Sequence, residues 1–159
     1  MQILHPIPDA ALPRATALWR AHFGMLGWPA GLRPCQGVVA IGRDGRLLGV
    51  MGLRDASGGL AARDLAAPGW LFRPAPATGD LVIDGLAVAT PRQGIGRALV
   101  AEALRLAARR ARPGLRAEVR QRNGGALAFY GSLGFAEEGQ GRYGLPWWGQ
   151  VHVLRRDAA

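Results

Sequence analysis

The sequence predicts an α/β fold around a partly parallel sheet, and three observations carry that prediction. Apolar runs of strand length alternate with helical patterns through the second half of the 159 residues. The clearest helix, 94–112, follows a strongly apolar strand at 80–88 across a short turn with two glycines, which is how a strand–helix–strand unit begins. Hydrophobic residues make up 49% of the chain, and its length suits one core, so residues 1–159 are expected to form a single domain.

Taken in order, 9–24 reads as a helix, because Leu12, Ala15, Leu18, Trp19 and Phe23 fall near helical spacing. The Gly- and Pro-rich stretch 27–34 is a loop. Residues 36–42 and 46–54 read as strands joined by Arg43-Asp44-Gly45, an Asp-Gly hairpin signal between apolar runs. The stretch 57–77 carries a helical turn near 64–67 and otherwise loop, marked by Pro68, Pro74 and Pro76. After the strand at 80–88, the helix 94–112 shows an apolar stripe of Val100, Leu104, Ala107, Ala108 and Ala111, with Glu102, Arg105, Arg109 and Arg112 turned away. Pro113-Gly114 stops it. A strand at 115–120, a helix at 124–133 and strands at 135–139 and 150–155 complete the chain, the last two separated by 141–148.

Composition narrows the function. No stretch reaches the roughly 20 apolar residues of a membrane span, and the amino terminus lacks the charged and apolar regions of a secretory signal. Cys35 is the only cysteine, which excludes an internal disulfide and a cysteine-based metal site; His5, His22 and His152 lack ligand spacing. The expected compartment is the reducing cytoplasm, and no metal or membrane partner is expected. The net charge is +9, and all 20 basic residues are arginine. That bias matches a GC-rich, bacterial codon usage better than a nucleic-acid surface, for which interleaved aromatics and a fold signature are missing.

The chemistry concentrates in two stretches. In Leu86-Ala87-Val88-Ala89-Thr90-Pro91-Arg92-Gln93-Gly94-Ile95-Gly96-Arg97-Ala98, a strand runs through a glycine turn into a helix. Glycine permits close approach of a ligand, and a helix start offers unpaired N–H groups and the positive end of the macrodipole, a ready diphosphate site. Arg92 and Arg97 add charge. Alone, Gly-x-Gly is equally the mark of a tight strand–helix connection. There is no Lys-Ser/Thr pair of a Walker A loop, and Leu99 stands where a dinucleotide fingerprint has its third glycine. The second stretch is Asn123-Gly124-Gly125-Ala126 followed by Phe129-Tyr130-Gly131-Ser132-Leu133-Gly134-Phe135.

With both in this order, separated by one helix and one strand, the chain from 80 to 139 resembles the core of the GNAT acetyltransferase superfamily. The resemblance implies a mixed, mostly antiparallel sheet of roughly six to seven strands, splayed between its fourth (80–88) and fifth (115–120), flanked by about four helices. It implies acetyl-CoA as cosubstrate, with the pantetheine arm in the splay beside Leu86, Ala87 and Val88. Backbone N–H groups from Gln93, Gly94, Ile95, Gly96, Arg97 and Ala98 would hold the diphosphate, and Asn123 would bond the pantetheine or its neighbouring backbone. Tyr130 matches the family's tyrosine near the thioester sulfur and would act as general acid. One departure is visible: the family has Gln or Arg three positions before its first motif glycine, where this chain has Pro91, and the loop is a residue or two short. Arg92 or Gln93 would take that role.

The implied reaction is direct attack of an amine on the thioester, with a backbone N–H near Val88 facing the oxyanion. Asp84, an ionisable residue on an apolar strand, is the first candidate base; Glu118 is the second, and water is a third. Alternation places Asp84 with Leu86 and Val88 on one face unless a bulge intervenes. Each of these residues also has a structural reading. Asn123 is a good N-cap, Leu133-Gly134-Phe135 is a helix end, and Asp84 or Glu118 can simply partner an arginine. Trp147 and Trp148, like Trp70 and Phe72, suit an acceptor pocket or a packing contact. Three classes therefore compete: an N-acetyltransferase acting on a primary amine of a small molecule or peptide, a non-catalytic acyl-CoA-binding module, and a nucleic-acid binder. A homodimer is a reasonable state.

Overall fold

The computed structural model describes residues 1–23, 32–60 and 70–158. The helical turn expected at 64–67 and most of the loop at 27–34 lie outside the described residues. The strands are β1 (Gln2–Leu4), β2 (Gly37–Ile41), β3 (Leu47–Asp55), the two-residue β4 (Gly58–Gly59), β5 (Leu81–Val88), β6 (Gly114–Arg120), β7 (Ala136–Gly141) and β8 (Val151–Asp157). The helices are α1 (Leu12–Phe23), α2 (Ile95–Arg109) and α3 (Gly124–Ser132). The sheet runs β1-β2-β3-β5-β6-β8-β7, with β4 attached to β3. Among the described residues only β5 and β6 pair in parallel; α2 crosses between them. This is the expected open α/β sheet, mixed and mostly antiparallel, with the expected fourth and fifth strands appearing as β5 and β6.

The hairpin at 43–45 forms as the sequence predicts. Gly45 takes a positive φ of 76°, and the Asp44 carboxylate accepts a hydrogen bond from the Arg46 N–H at 3.2 Å. The first strand has no counterpart in the sequence reading. Three residues are too few to show alternation, and β1 exists because it pairs with β2, Ile3 opposite Ala40.

Two apolar layers hold the sheet. On one face Ala15 and Trp19 of α1 bury against Val39, Val50 and Ala87. On the other, Leu99, Val100, Ala103 and Leu106 of α2, Tyr130 of α3 and Leu133 just after it bury against Val38, Met51, Leu81, Ile83, Leu115 and Ala117. Each large aliphatic side chain fully buried this way contributes about 1.5–3 kcal/mol. The stripe on α2 is only partly the one expected: Val100 and Ala107 are buried and Leu104 packs against the core, but Ala108 and Ala111 are exposed, and Ile95, Leu99, Ala103 and Leu106 complete the buried face. In so alanine-rich a helix, the positions of the large side chains decide the buried face.

β5 and β6 pair only through Leu81–Leu115, Val82–Arg116 and Ile83–Ala117, and then part. A β-bulge accompanies the parting. Met51 pairs with Leu86 but Leu53 pairs with Ile83, so Asp84 and Gly85 together oppose Gly52. Gly85 carries φ 100°, a conformation that favours glycine. A Cβ on Gly52 would lie 2.7 Å from the Asp84 carbonyl oxygen, so the opposing glycine gives the bulge its room.

Candidate active site

The gap opens where the bulge sits, and its walls come from residues far apart in sequence. The cleft has a volume of about 1260 Å³ and runs from the start of α2, along β5 and β6, to the segments at 72–75 and 143–148. The Ala89 N–H donates to the Leu48 carbonyl at 2.8 Å. Antiparallel pairing alternates, so Ala87 also turns its polar backbone atoms toward β3, while Leu86 and Val88 turn theirs toward the gap. β6 has parted by then, so among the described residues this stretch of β5 is a strand edge with no strand on it. Backbone polar groups in such a position need partners, and an amide-bearing chain lying in the gap fits that edge.

At the end of the cleft, Gly94 caps α2 in the left-handed conformation (φ 74°) with open space where a Cβ would stand. The first intrahelical bond runs from the Ala98 N–H to the Gly94 carbonyl at 3.0 Å, which leaves the N–H groups of Ile95, Gly96 and Arg97 without intrahelical partners. No acidic residue occupies the first turn. Arg92, directly after Pro91, is itself left-handed at φ 65°. Proline followed by positive φ is the pattern of a type II turn, and for a side-chain-bearing residue it costs about 1–2 kcal/mol. Strain of this kind concentrates where backbone must present itself to a ligand. The residues present therefore fit a diphosphate joined to an amide-containing arm.

Asn123 caps α3, its side-chain oxygen accepting from the Ala126 N–H at 3.1 Å, and it also lines the cleft. The far end of α3 fixes Tyr130. Phe135 N–H donates to the Tyr130 carbonyl at 3.2 Å and Gly134 N–H to the Gly131 carbonyl at 3.0 Å, with Gly134 at φ 79°, which is a Schellman motif. The Phe129 and Phe135 rings stand 5.1 and 5.2 Å from the Tyr130 ring, each near edge-on. Tyr130 is only 7% exposed, yet it lines the cleft. Burial alone pushes its phenol well above the ordinary value of 10.0, so it keeps its proton through the neutral range.

The bulge changes one expectation. Ile83, Leu86 and Val88 all pack toward α2 and α3, while Ala87 packs toward α1. The extra residue inverts the alternation, so Asp84 does not share a face with Leu86 and Val88. It lies on the α1 side, where Arg54 of β3 comes within 3.7 Å of its carboxylate and within 3.3 Å of that of Glu118. Glu118 also meets Arg116 at 3.8 Å. The two candidate bases are thus brought together, and both are ion-paired to one arginine. Among the other expected residues, Leu86, Val88, Arg92, Gly94, Ile95, Gly96 and Arg97 line the cleft; Ala87, Gln93 and Ala98 are not in its wall.

Sequence reasoning missed Arg54, whose signal was a charge closing the apolar run 47–53, and Trp19, Phe23 and Tyr143 of the aromatic wall; Phe72, Trp147 and Trp148, named from the sequence, line the cleft, and Trp70 does not. The wall is built across the chain. Arg73 and Gly144 exchange backbone hydrogen bonds at 3.0 and 2.6 Å, and Phe72 meets Trp148 edge-on at 6.1 Å. The His152 ring N–H donates to the Glu137 carboxylate at 2.7 Å, and the His22 ring N–H to the Leu18 carbonyl at 3.1 Å. Among the described residues, no group of three His, Cys, Asp or Glu could hold a metal, and no helix is long and apolar enough to cross a membrane.

Comparison with known proteins agrees with this geometry. A search of curated proteins found no match. Among solved structures, the chain is similar to nourseothricin acetyltransferase at 25% identity and a TM-score of 0.55, over 77% of this chain; it spans only 65% of that protein. It is similar in fold to ribosomal-protein-S18-alanine N-acetyltransferase from Escherichia coli, at 17% identity and a TM-score of 0.63 over 99% of this chain and 94% of that one. A third fold relative is a putative streptothricin acetyltransferase from Bacillus anthracis, solved in complex with acetyl coenzyme A, at 19% identity and a TM-score of 0.53 over 75% of this chain and 59% of that one. The model of the acetyltransferase (GNAT) family matches residues 6–135, so the chain belongs to the GNAT acetyltransferase family.

Proposed function

We propose that the protein is an N-acetyltransferase that moves the acetyl group of acetyl-CoA onto a primary amine of a small molecule or peptide by direct attack. The observation that carries this reading is the edge of β5 at Leu86 and Val88 from which β6 has parted, ending at the left-handed Gly94 and the positive start of α2. An elongated donor with amides along its length and a diphosphate at one end satisfies both features together.

The chain's own groups supply each need of the transfer. The start of α2, with Arg92 and Arg97 beside it, binds the diphosphate. The gap-facing N–H groups of Leu86 and Val88 orient the arm and place a donor near the carbonyl oxygen where negative charge grows. A protonated acceptor amine first loses a proton, to Asp84, Glu118 or water. The amine nitrogen then bonds to the thioester carbonyl carbon, and the carbon–sulfur bond breaks with its electron pair going to sulfur. Tyr130, held protonated by burial, gives the leaving thiolate its proton. The nitrogen sheds its extra proton to water, solvent returns a proton to Tyr130, and the products are an amide and free CoA thiol.

Calorimetric titration with acetyl-CoA, followed by thiol release on adding a panel of amines, tests the reading. Binding at micromolar concentration with amine-dependent thiol release is expected. Binding without release for any amine would move the protein to the class of non-catalytic acyl-CoA-binding modules, and absence of binding would remove the reading altogether.

A further inference from the structure

The acceptor half of the cleft has a charge pattern that acetyl transfer alone does not require. Both carboxylates there are engaged, Asp84 and Glu118 with Arg54, and Glu118 also with Arg116. Arg116, Glu118 and Arg120 alternate onto one face of β6, so Arg120 stands roughly 7 Å beyond Glu118 along the strand. Arg120 lines the cleft, with its guanidinium carbon 4.9 Å from the centre of the Trp148 ring. Among the described residues it has no carboxylate within ion-pair distance.

Its stacking surface is fixed from behind. The Trp148 indole lies against Gly144, where no Cβ has room, and Phe72 braces its edge. The paired backbone bonds between Arg73 and Gly144 hold the two segments together. A guanidinium stacked on an aromatic face loses less freedom when it forms a forked pair with an anion. The same arrangement opposes a second positive charge on the acceptor. The acidic groups that a polyamine would need are already neutralised by Arg54 and Arg116, and Arg120 repels it.

Building on the acetyltransferase reading, we propose that the acceptor is a primary amine that carries both an aromatic ring and a carboxylate. Its ring lies on the Phe72–Trp148 wall, its carboxylate pairs with Arg120, and its amine reaches inward toward Asp84 and the thioester. Arg120 is then a specificity-determining residue, and the aromatic amino acids are the simplest molecules with all three groups.

The test measures kcat/KM for L-phenylalanine and L-tryptophan, for their amides and decarboxylated amines, and for spermidine, with acetyl-CoA binding followed in parallel by calorimetry. The free acids are expected to exceed their amides by about tenfold or more, the scale of one charge-assisted pair, and spermidine is expected to be the poorest. Arg120→Gln should collapse the acid-to-amide ratio toward one with acetyl-CoA affinity retained, whereas Arg109→Gln, on the exposed side of α2, should leave the ratio as it is. An enzyme that binds acetyl-CoA but prefers amides, decarboxylated amines or spermidine overturns this proposal and leaves the acetyltransferase reading standing. So does acetyl-CoA binding with no turnover of the acids. A protein that does not bind acetyl-CoA fails the earlier reading instead.

Discussion

Tyr130→Phe separates the chemistry of one hydroxyl from the packing of its ring. The ring sits between Phe129 and Phe135, 7% exposed, and phenylalanine fills the same volume without its oxygen. Acetyl-CoA affinity should therefore change little, while kcat falls by about 10²–10⁴, the range for losing a positioned proton donor. A second readout is independent of turnover. Because burial raises the phenol's pKa in the folded state, above pH 10 the unfolded chain releases this proton and the folded chain keeps it. The unfolded state then binds fewer protons, so stability declines as pH rises, by about 1.4 kcal/mol per unit from this group. The contribution is fully present below pH 10. Urea denaturation at pH 8 and at pH 11 should give the wild type a loss about 1.4 kcal/mol larger than that of Tyr130→Phe. Equal losses would mean that the phenol ionises freely in the folded protein, and an unchanged kcat would remove Tyr130 from the mechanism.

Further perturbations probe the frame around it. Gly94→Ala places a methyl group in a left-handed position with open space around it, at the proposed diphosphate site; stability should fall by about 1–2 kcal/mol, and calorimetry should show weaker acetyl-CoA binding. At Gly85, φ is 100° and a Cβ would come within 2.9 Å of Phe23 and 3.0 Å of the Trp19 indole nitrogen. Gly85→Ala should cost about 2–4 kcal/mol in urea melts through strain and overpacking, and a loss below about 0.5 kcal/mol, the scale of an ordinary surface substitution, would contradict the bulge. Burial of Asp55 opposes its ionisation, but the Ser57 hydroxyl and N–H, Gln36 and Arg110 more than offset this and hold its carboxyl below 3.8. That contribution is present above about pH 3.8 and is lost as pH falls further, so Asp55→Asn should show a shallower loss of stability in acid titrations followed by circular dichroism.

How much of this was legible in the sequence depends on range. β5, α2 and α3 were readable because apolar runs, two glycines and an Asn cap act within a few residues of each other. The capping of α3 by Asn123 and its ending at Gly134 came out as read. What failed was non-local. β1 needs β2 to exist, and the buried face of α2 was set by Leu99 and Leu106 meeting a sheet the sequence does not display. The side on which Asp84 stands was set by one extra residue at a bulge opposite Gly52. Arg54 lies far along the chain from Glu118, and Arg73 far from Gly144. Such pairings have no periodic signature, and they fall on the side of the cleft that we propose for the acceptor.

The two halves of the sheet are joined by backbone along only three rungs, from Leu81–Leu115 to Ile83–Ala117. Past the third rung, Arg54 reaches from one half to the Glu118 of the other, a side-chain clasp over a seam the main chain leaves open. Main-chain cohesion thus ends where a guest's own amides can take over as the missing strand. The seam should accordingly be the most loosely knit part of the empty protein and gain firmness when filled. Protection of the Leu86 and Val88 amides from hydrogen exchange would then report on the guest itself.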